Sequence, residues 1–338
     1  MADLSTTYLG LPLANPLVMA ASSATARVEN LQLAERFGAG AVVLRSLFEE
    51  QILAEQAQLE DTLSQGSEAH VEAQDYFPPV VHADAASYLR MVEQARRTVS
   101  MPLIGSINAV RSGSWTRYAK QLSECGVDAI ELNVYSVAAD PATSGQVIEE
   151  QLFDLVSSVL DQVSVPVAVK LSPYYTSVVN VVHELDKRGV SGVVLFNRFL
   201  QPDIDLHHET LSTVMPLSTP QEMRLPLRFT ALLSGRIEAD IAISTGVHTG
   251  EDMLRGLLAG ATVTQVAAAV IKNGLHHVGS MLRDCEAWMD DRGYSMVDDI
   301  RGMLSQAAVQ DPHAFERAQY VSMLSGGSHS SPLNARVS

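Results

Sequence analysis

AERFGAGAVVLRS, Ala34 to Ser46, sets an amphipathic stretch, a glycine and a Val/Leu run in direct succession. Glycine supplies the left-handed residue that ends a helix, and an unbroken apolar run suits a strand buried on both faces. The same join recurs in SECGVDAIELN (Ser123 to Asn133), DKRGVSGVVLFN (Asp186 to Asn197) and LLAGATVTQVA (Leu257 to Ala267). Four further runs read as strands: Leu17 to Ala20, Leu103 to Ile107 after Pro102, Val167 to Leu171 after Pro166, and Ile241 to Ser244. Eight short strands alternating with helices predict a parallel sheet, either closed into a barrel or doubly wound.

Polar residues decide between the two. Strands two to seven end in Arg45 and Ser46, Ser106 and Asn108, Asn133, Lys170, Asn197, and Ser244 and Thr245. In a closed barrel these ends converge on the one face that carries active sites. A doubly wound sheet binds ligand at a single switch point and gives no reason for so many polar ends. The predicted fold is therefore an α/β barrel of the (β/α)8 TIM type. It forms a single domain over residues 1–324, with insertions at about 48–79 and 199–227 and a disordered tail over 325–338.

Composition narrows the function. A chain of 338 residues with 46% hydrophobic and 18% charged residues has enough apolar material for one large core. A formal charge of −16 opposes binding to nucleic acid, which requires a basic surface to displace counterions. Cys125 and Cys285 are too few for a disulfide framework and lack metal-ligand spacing, so no metal is expected and both thiols are read as reduced and buried. Met1 to Leu11 has no basic region followed by an apolar core, and no run reaches membrane-spanning length, which predicts a cytoplasmic protein with no membrane partner.

Three segments carry specific chemistry. The fourth strand ends Ile130-Glu131-Leu132-Asn133-Val134-Tyr135-Ser136, the fifth ends Val169-Lys170-Leu171-Ser172-Pro173, and the first lies in Asn15-Pro16-Leu17-Val18-Met19-Ala20-Ala21-Ser22. An unpaired ammonium is costly to bury, so a lysine at the inner end of an apolar strand marks either a site or a structural salt bridge. Ser136 is either a base or the cap of a helix beginning near Val147.

In order and spacing, from about Leu9 to about Gly293, these segments resemble the soluble dihydroorotate dehydrogenases. The resemblance implies an FMN-dependent oxidoreductase, commonly a homodimer, acting on a small cyclic and anionic substrate such as dihydroorotate. It places Asn133 against flavin and substrate, Lys170 near the flavin N1 and O2, and the backbone of Ala20 and Ala21 along the ring. Ser136 falls on the position of the catalytic base, which is cysteine in the soluble members and serine in the membrane-bound branch. Arg45 stands where the family usually has a lysine beside flavin and substrate. Asn197 matches a substrate asparagine, and its neighbour Arg198, which replaces a small hydroxyl residue, forms with Arg45 a cationic pair that favours a carboxylate or other anionic substrate. Phosphate is implied to sit on the turns Thr245-Gly246 and Ala267-Ala268, whose amides suit an anion.

This chain also departs from the family pattern. Thr245 replaces a glycine, the second turn has lost its glycine, Ala138 stands in place of an asparagine, and Phe48 to Pro79 lacks the family's GSINSMGLPN stretch. These losses predict poor handling of dihydroorotate itself. They also keep two other readings open: a flavin-less binding or regulatory barrel derived from the fold, and a cofactor-free lyase using Lys170 as a Schiff-base nucleophile.

Overall fold

The computed structural model describes residues 1–48, 85–108, 112–134, 137–199, 201–212, 216–310 and 312–316. The chain opens with a hairpin, β1 (Thr6–Tyr8) and β2 (Leu11–Leu13), followed by β3 (Leu17–Met19), β4 (Ala41–Val43) and the short β5 (Leu47–Phe48). Next come β6 (Leu103–Asn108), β7 (Ala129–Asn133), β8 (Val167–Leu171) and β9 (Gly192–Leu195). A second hairpin, β10 (Asp203–Asp205) and β11 (Thr210–Ser212), precedes β12 (Asp240–Ser244) and β13 (Val263–Val266). Among the described residues, eight parallel strands form a closed ring in the order β4-β3-β13-β12-β9-β8-β7-β6, with a β4–β6 pairing completing the circle. β5 resumes the track of β4 along β6. The predicted barrel is thus the observed one, and the doubly wound alternative is gone.

The glycines do what the sequence required. Gly38, Gly126, Gly189 and Gly260 take φ of 95°, 87°, 86° and 113°, each between a helix and the strand that follows. Among the described residues, the second insertion holds the β10–β11 hairpin and a 3-10 turn, Pro220–Met223, which runs into the helix Arg224–Leu233. Most of the first insertion and all of the tail over 325–338 lie outside the described residues. Cys285 is buried as expected, whereas Cys125 is only half-buried, near the end of the helix Ser112–Glu124. Among the described residues, no helix is long and apolar enough to cross a membrane.

Alternation along each strand divides the core in two. Outward residues such as Leu17, Val42, Ile130, Val169 and Ile243 pack with the apolar faces of the surrounding helices. Inward residues are smaller: Ala41, Ala129, Ala168 and Ala242 leave room on the barrel axis, and Tyr8, Leu9 and Leu13 of the first hairpin fill it. Gly192 is required for this plug, since a Cβ there would lie 2.5 Å from Leu9 Cδ2. Asp240 fastens it by accepting the Leu9 amide at 2.7 Å and the Thr262 hydroxyl at 3.0 Å. Burial pushes the Asp240 carboxyl above its ordinary value despite these bonds. Leu9 is almost wholly buried, so Leu9→Ala is expected to lower stability by about 2 to 5 kcal/mol, measured by urea denaturation.

Candidate active site at the barrel mouth

Two residues beyond the apolar inner layer, the inward positions become polar. Glu131 follows Ala129 on β7, Lys170 follows Ala168 on β8, and Gln265 follows Val263 on β13; all three are buried. Gln265 Nε2 donates to Glu131 Oε2 at 2.6 Å, and Gln265 Oε1 accepts from Lys170 Nζ at 3.3 Å. Lys170 Nζ also lies 3.7 Å from Glu131 Oε1. Buried charges persist when they are paired and hydrogen-bonded, and this cluster meets both conditions.

Lys170 thus has the salt bridge that was its structural alternative, and it also reaches a cavity. A cavity of about 300 Å³ opens at the C-terminal ends of the strands, with Lys170 and Gln265 in its wall. Ala20, Ala21, Asn197 and Arg198 line it as well, and so do the two turns Thr245-Gly246 and Ala267-Ala268. Beside it, Asn197 Nδ2 donates to Asn133 Oδ1 at 2.7 Å, and Asn133 Nδ2 donates to Ser46 Oγ at 3.5 Å. Ser46 and Ser106 share a hydrogen bond of 2.8 Å, so four polar strand ends are joined across the mouth. Each asparagine thereby has its amide orientation fixed by a neighbour, a form of preorganisation.

The two arginines behave differently from these residues. Arg45 is half-buried at the end of β4, outside the lining of the cavity, with its amide donating to Thr25 O at 3.5 Å. Arg198 lines the cavity, but its Nε donates to Glu222 Oε1 at 2.7 Å and its Nη1 to Pro216 O. Burial acts to raise the Glu222 carboxyl, yet the Thr219 amide and Arg198 outweigh it and hold it below the ordinary carboxylate range. Arg198 therefore braces the segment after the second hairpin, and part of its charge is already spoken for.

At the turn after β12, Thr245 adopts φ 76° and Gly246 φ 81°. Left-handed backbone costs a side-chain-bearing residue roughly 1 to 2 kcal/mol. Thr245 accepts that cost here, with its Oγ1 donating to Phe196 O at 3.1 Å. Thr245 thus takes a left-handed backbone that glycine adopts without that cost. Gly246 has no such latitude, because a Cβ there would lie 2.5 Å from the Met223 nitrogen. The next helix, Gly250–Ala259, is capped from within: Thr249 Oγ1 accepts the Asp252 amide, and Asp252 accepts the amides of His248 and Thr249 at 3.0 Å.

Tyr135 and Ser136 lie outside the described residues. The capping role weighed for Ser136 belongs to Ser144, whose Oγ accepts the Val147 amide of the helix Gly145–Leu160 at 3.4 Å.

The sequence profile of the family named dihydroorotate dehydrogenase matches residues 80–289. The chain belongs to the dihydroorotate dehydrogenase family. Among its relatives is the protein named dihydroorotate dehydrogenase B (NAD(+)), catalytic subunit, of Thermoplasma acidophilum, 24% identical over 90% of this chain and 99% of the relative. The proteins of the same name from Methanothermobacter thermautotrophicus and Pyrococcus abyssi are 27% and 26% identical, each over 89% of this chain and 98% of the relative.

Seen as a dihydroorotate dehydrogenase family member, the chain has three site residues that no role was assigned from sequence: Glu131, Gln265 and Glu222. The first two carried a usable signal, since a charged or amide side chain in a strand buried on both faces needs a partner inside the barrel. Glu222 carried none, because its partner Arg198 is separated from it by the second hairpin. For the turn, Gly246→Ala is expected to cost about 1 to 3 kcal/mol through the clash with Met223 and the positive φ, read as a lowered thermal midpoint.

Proposed function

We propose that the chain is a flavin-dependent dehydrogenase that moves hydride between a small anionic cyclic compound, such as dihydroorotate, and FMN held in the cavity at the barrel mouth. The observation that carries this reading is Lys170, a buried ammonium in the wall of a cavity that Asn197 also lines, with Asn133 bonded to Asn197 beside it. The residues present suit a mononucleotide. A cation in the wall favours an electron-rich ring, and the turns Thr245-Gly246 and Ala267-Ala268 offer backbone rather than bulky side chains for a phosphate. Bound FMN supplies the hydride acceptor. The chain's own residues then have distinct tasks: Lys170 places positive charge at the cofactor, and Asn133 and Asn197 orient the substrate. Ala20 and Ala21 supply backbone beside the ring, and Ser136 removes the proton from the carbonyl-side carbon of the C–C bond being oxidised, as hydride leaves its other carbon. Arg45 stands near the mouth for the substrate anion, and Arg198 adds what charge Glu222 leaves it.

The relatives named as NAD(+)-linked catalytic subunits support a further reading, in which electrons pass from the flavin to an accompanying subunit. We place the protein in the cytoplasm as a homodimer of single barrels over residues 1–324, with neither nucleic acid nor membrane as partner.

Two measurements test this. Purified protein is expected to carry about one FMN per chain, seen as flavin absorption that is released on denaturation. Colourless protein that takes up no added FMN would return the chain to the flavin-less binding barrel. Under anaerobic conditions, with dihydroorotate beside a panel of anionic cyclic compounds, Ser136→Ala should slow bleaching of the flavin by the best substrate by roughly 10²-fold and leave FMN binding intact. Equal rates in the two proteins would move the base elsewhere.

A further inference from the structure

Glu131 is fully buried and does not line the cavity, so no task in the reaction above falls to it. Its surroundings are nonetheless specific. A carboxylate only accepts hydrogen bonds and an ammonium only donates them, while an amide does both. Gln265 stands between the two in the single orientation that satisfies both, with its NH2 toward Glu131 and its carbonyl toward Lys170. An acid at position 265 would repel Glu131, a base would repel Lys170, and an apolar residue would strand a buried carboxylate oxygen. Among the described residues, Glu131 is the carboxylate within 4.0 Å of Lys170, at 3.7 Å. Its Oε1 makes no hydrogen bond and meets Lys170 Nζ only at ion-pair distance, in a water-poor interior where charges act over longer range than in solvent.

We propose that Glu131 is a positioning residue of the flavin site, which fixes the Lys170 ammonium at the cavity wall, directly and through Gln265, and sets the reduction potential of the bound flavin. The inference rests on the FMN reading above. Lys170 favours the negative charge that the ring gains on reduction, and Glu131 opposes it from the layer beneath. Their balance is fixed by three side chains rooted on three different strands, β7, β8 and β13, none of which is free to move independently of the barrel.

The test uses FMN-loaded protein in an anaerobic dye-coupled redox titration. Glu131→Gln keeps the shape of the side chain and an oxygen for Gln265 but removes the charge. The expected result is a shift of the two-electron equilibrium toward reduced flavin by about tenfold, a potential about 30 mV more positive. An equilibrium within twofold of the parent, a potential within about 9 mV, overturns the inference, since a merely structural role would change stability and not potential. The FMN-free full-length chain gives an independent readout. Lys170→Met should lower the urea midpoint, and adding Glu131→Gln should restore it; simple additivity counts against the pairing. A chain that takes up no FMN overturns the flavin reading and the redox part of this inference together, whereas a loaded chain with an unshifted potential overturns this inference alone.

Discussion

A charged pair inside a β-barrel is the constraint around which the rest is arranged. Removing an ammonium and a carboxylate from water is expensive, and their attraction recovers the loss only with tight geometry and further hydrogen bonds. Lys170, Glu131 and Gln265 meet those terms because closure of the sheet brings β8, β7 and β13 to face one axis. An open sheet would leave β7 and β13 far apart, with nothing to pair these groups. Ring closure and the site are therefore one requirement seen from two sides, and the small inward residues Ala129 and Ala168 beneath them let the apolar plug rise close under the charged layer.

The barrel was legible because its signal is local and repeated. Each helix stop sits next to the strand it precedes, so Gly38, Gly126, Gly189 and Gly260 could be read without knowing any contact, and each has the left-handed backbone that the reading needs. The polar strand ends were legible for the same reason, since one residue's place at the end of an apolar run is enough to aim it at the mouth. Partnerships were not legible. Arg198 read as a free cation for an anionic ligand, while in the fold it meets Glu222 and the Pro216 carbonyl across a hairpin whose path has no sequence signature. Gln265 and Glu131 are 134 positions apart, and only the closed ring makes them neighbours.

The turn at Thr245 shows where residue type and backbone path part company. A glycine lost from a turn restricts φ, yet Thr245 takes the left-handed conformation, flanked by Gly246, which cannot be replaced without striking Met223. Strain of this kind persists when the surroundings over-determine the path. The position is held by what is packed around it, so a residue with a side chain keeps the left-handed path at a cost in energy.

The hairpin that stoppers the barrel has one more consequence. With Tyr8, Leu9 and Leu13 filling the axis at one end, the cavity among the described residues is reached from the other, where the strands terminate. A molecule seated at its floor would have the barrel's own side chains beneath it and would exchange with solvent over its upper side.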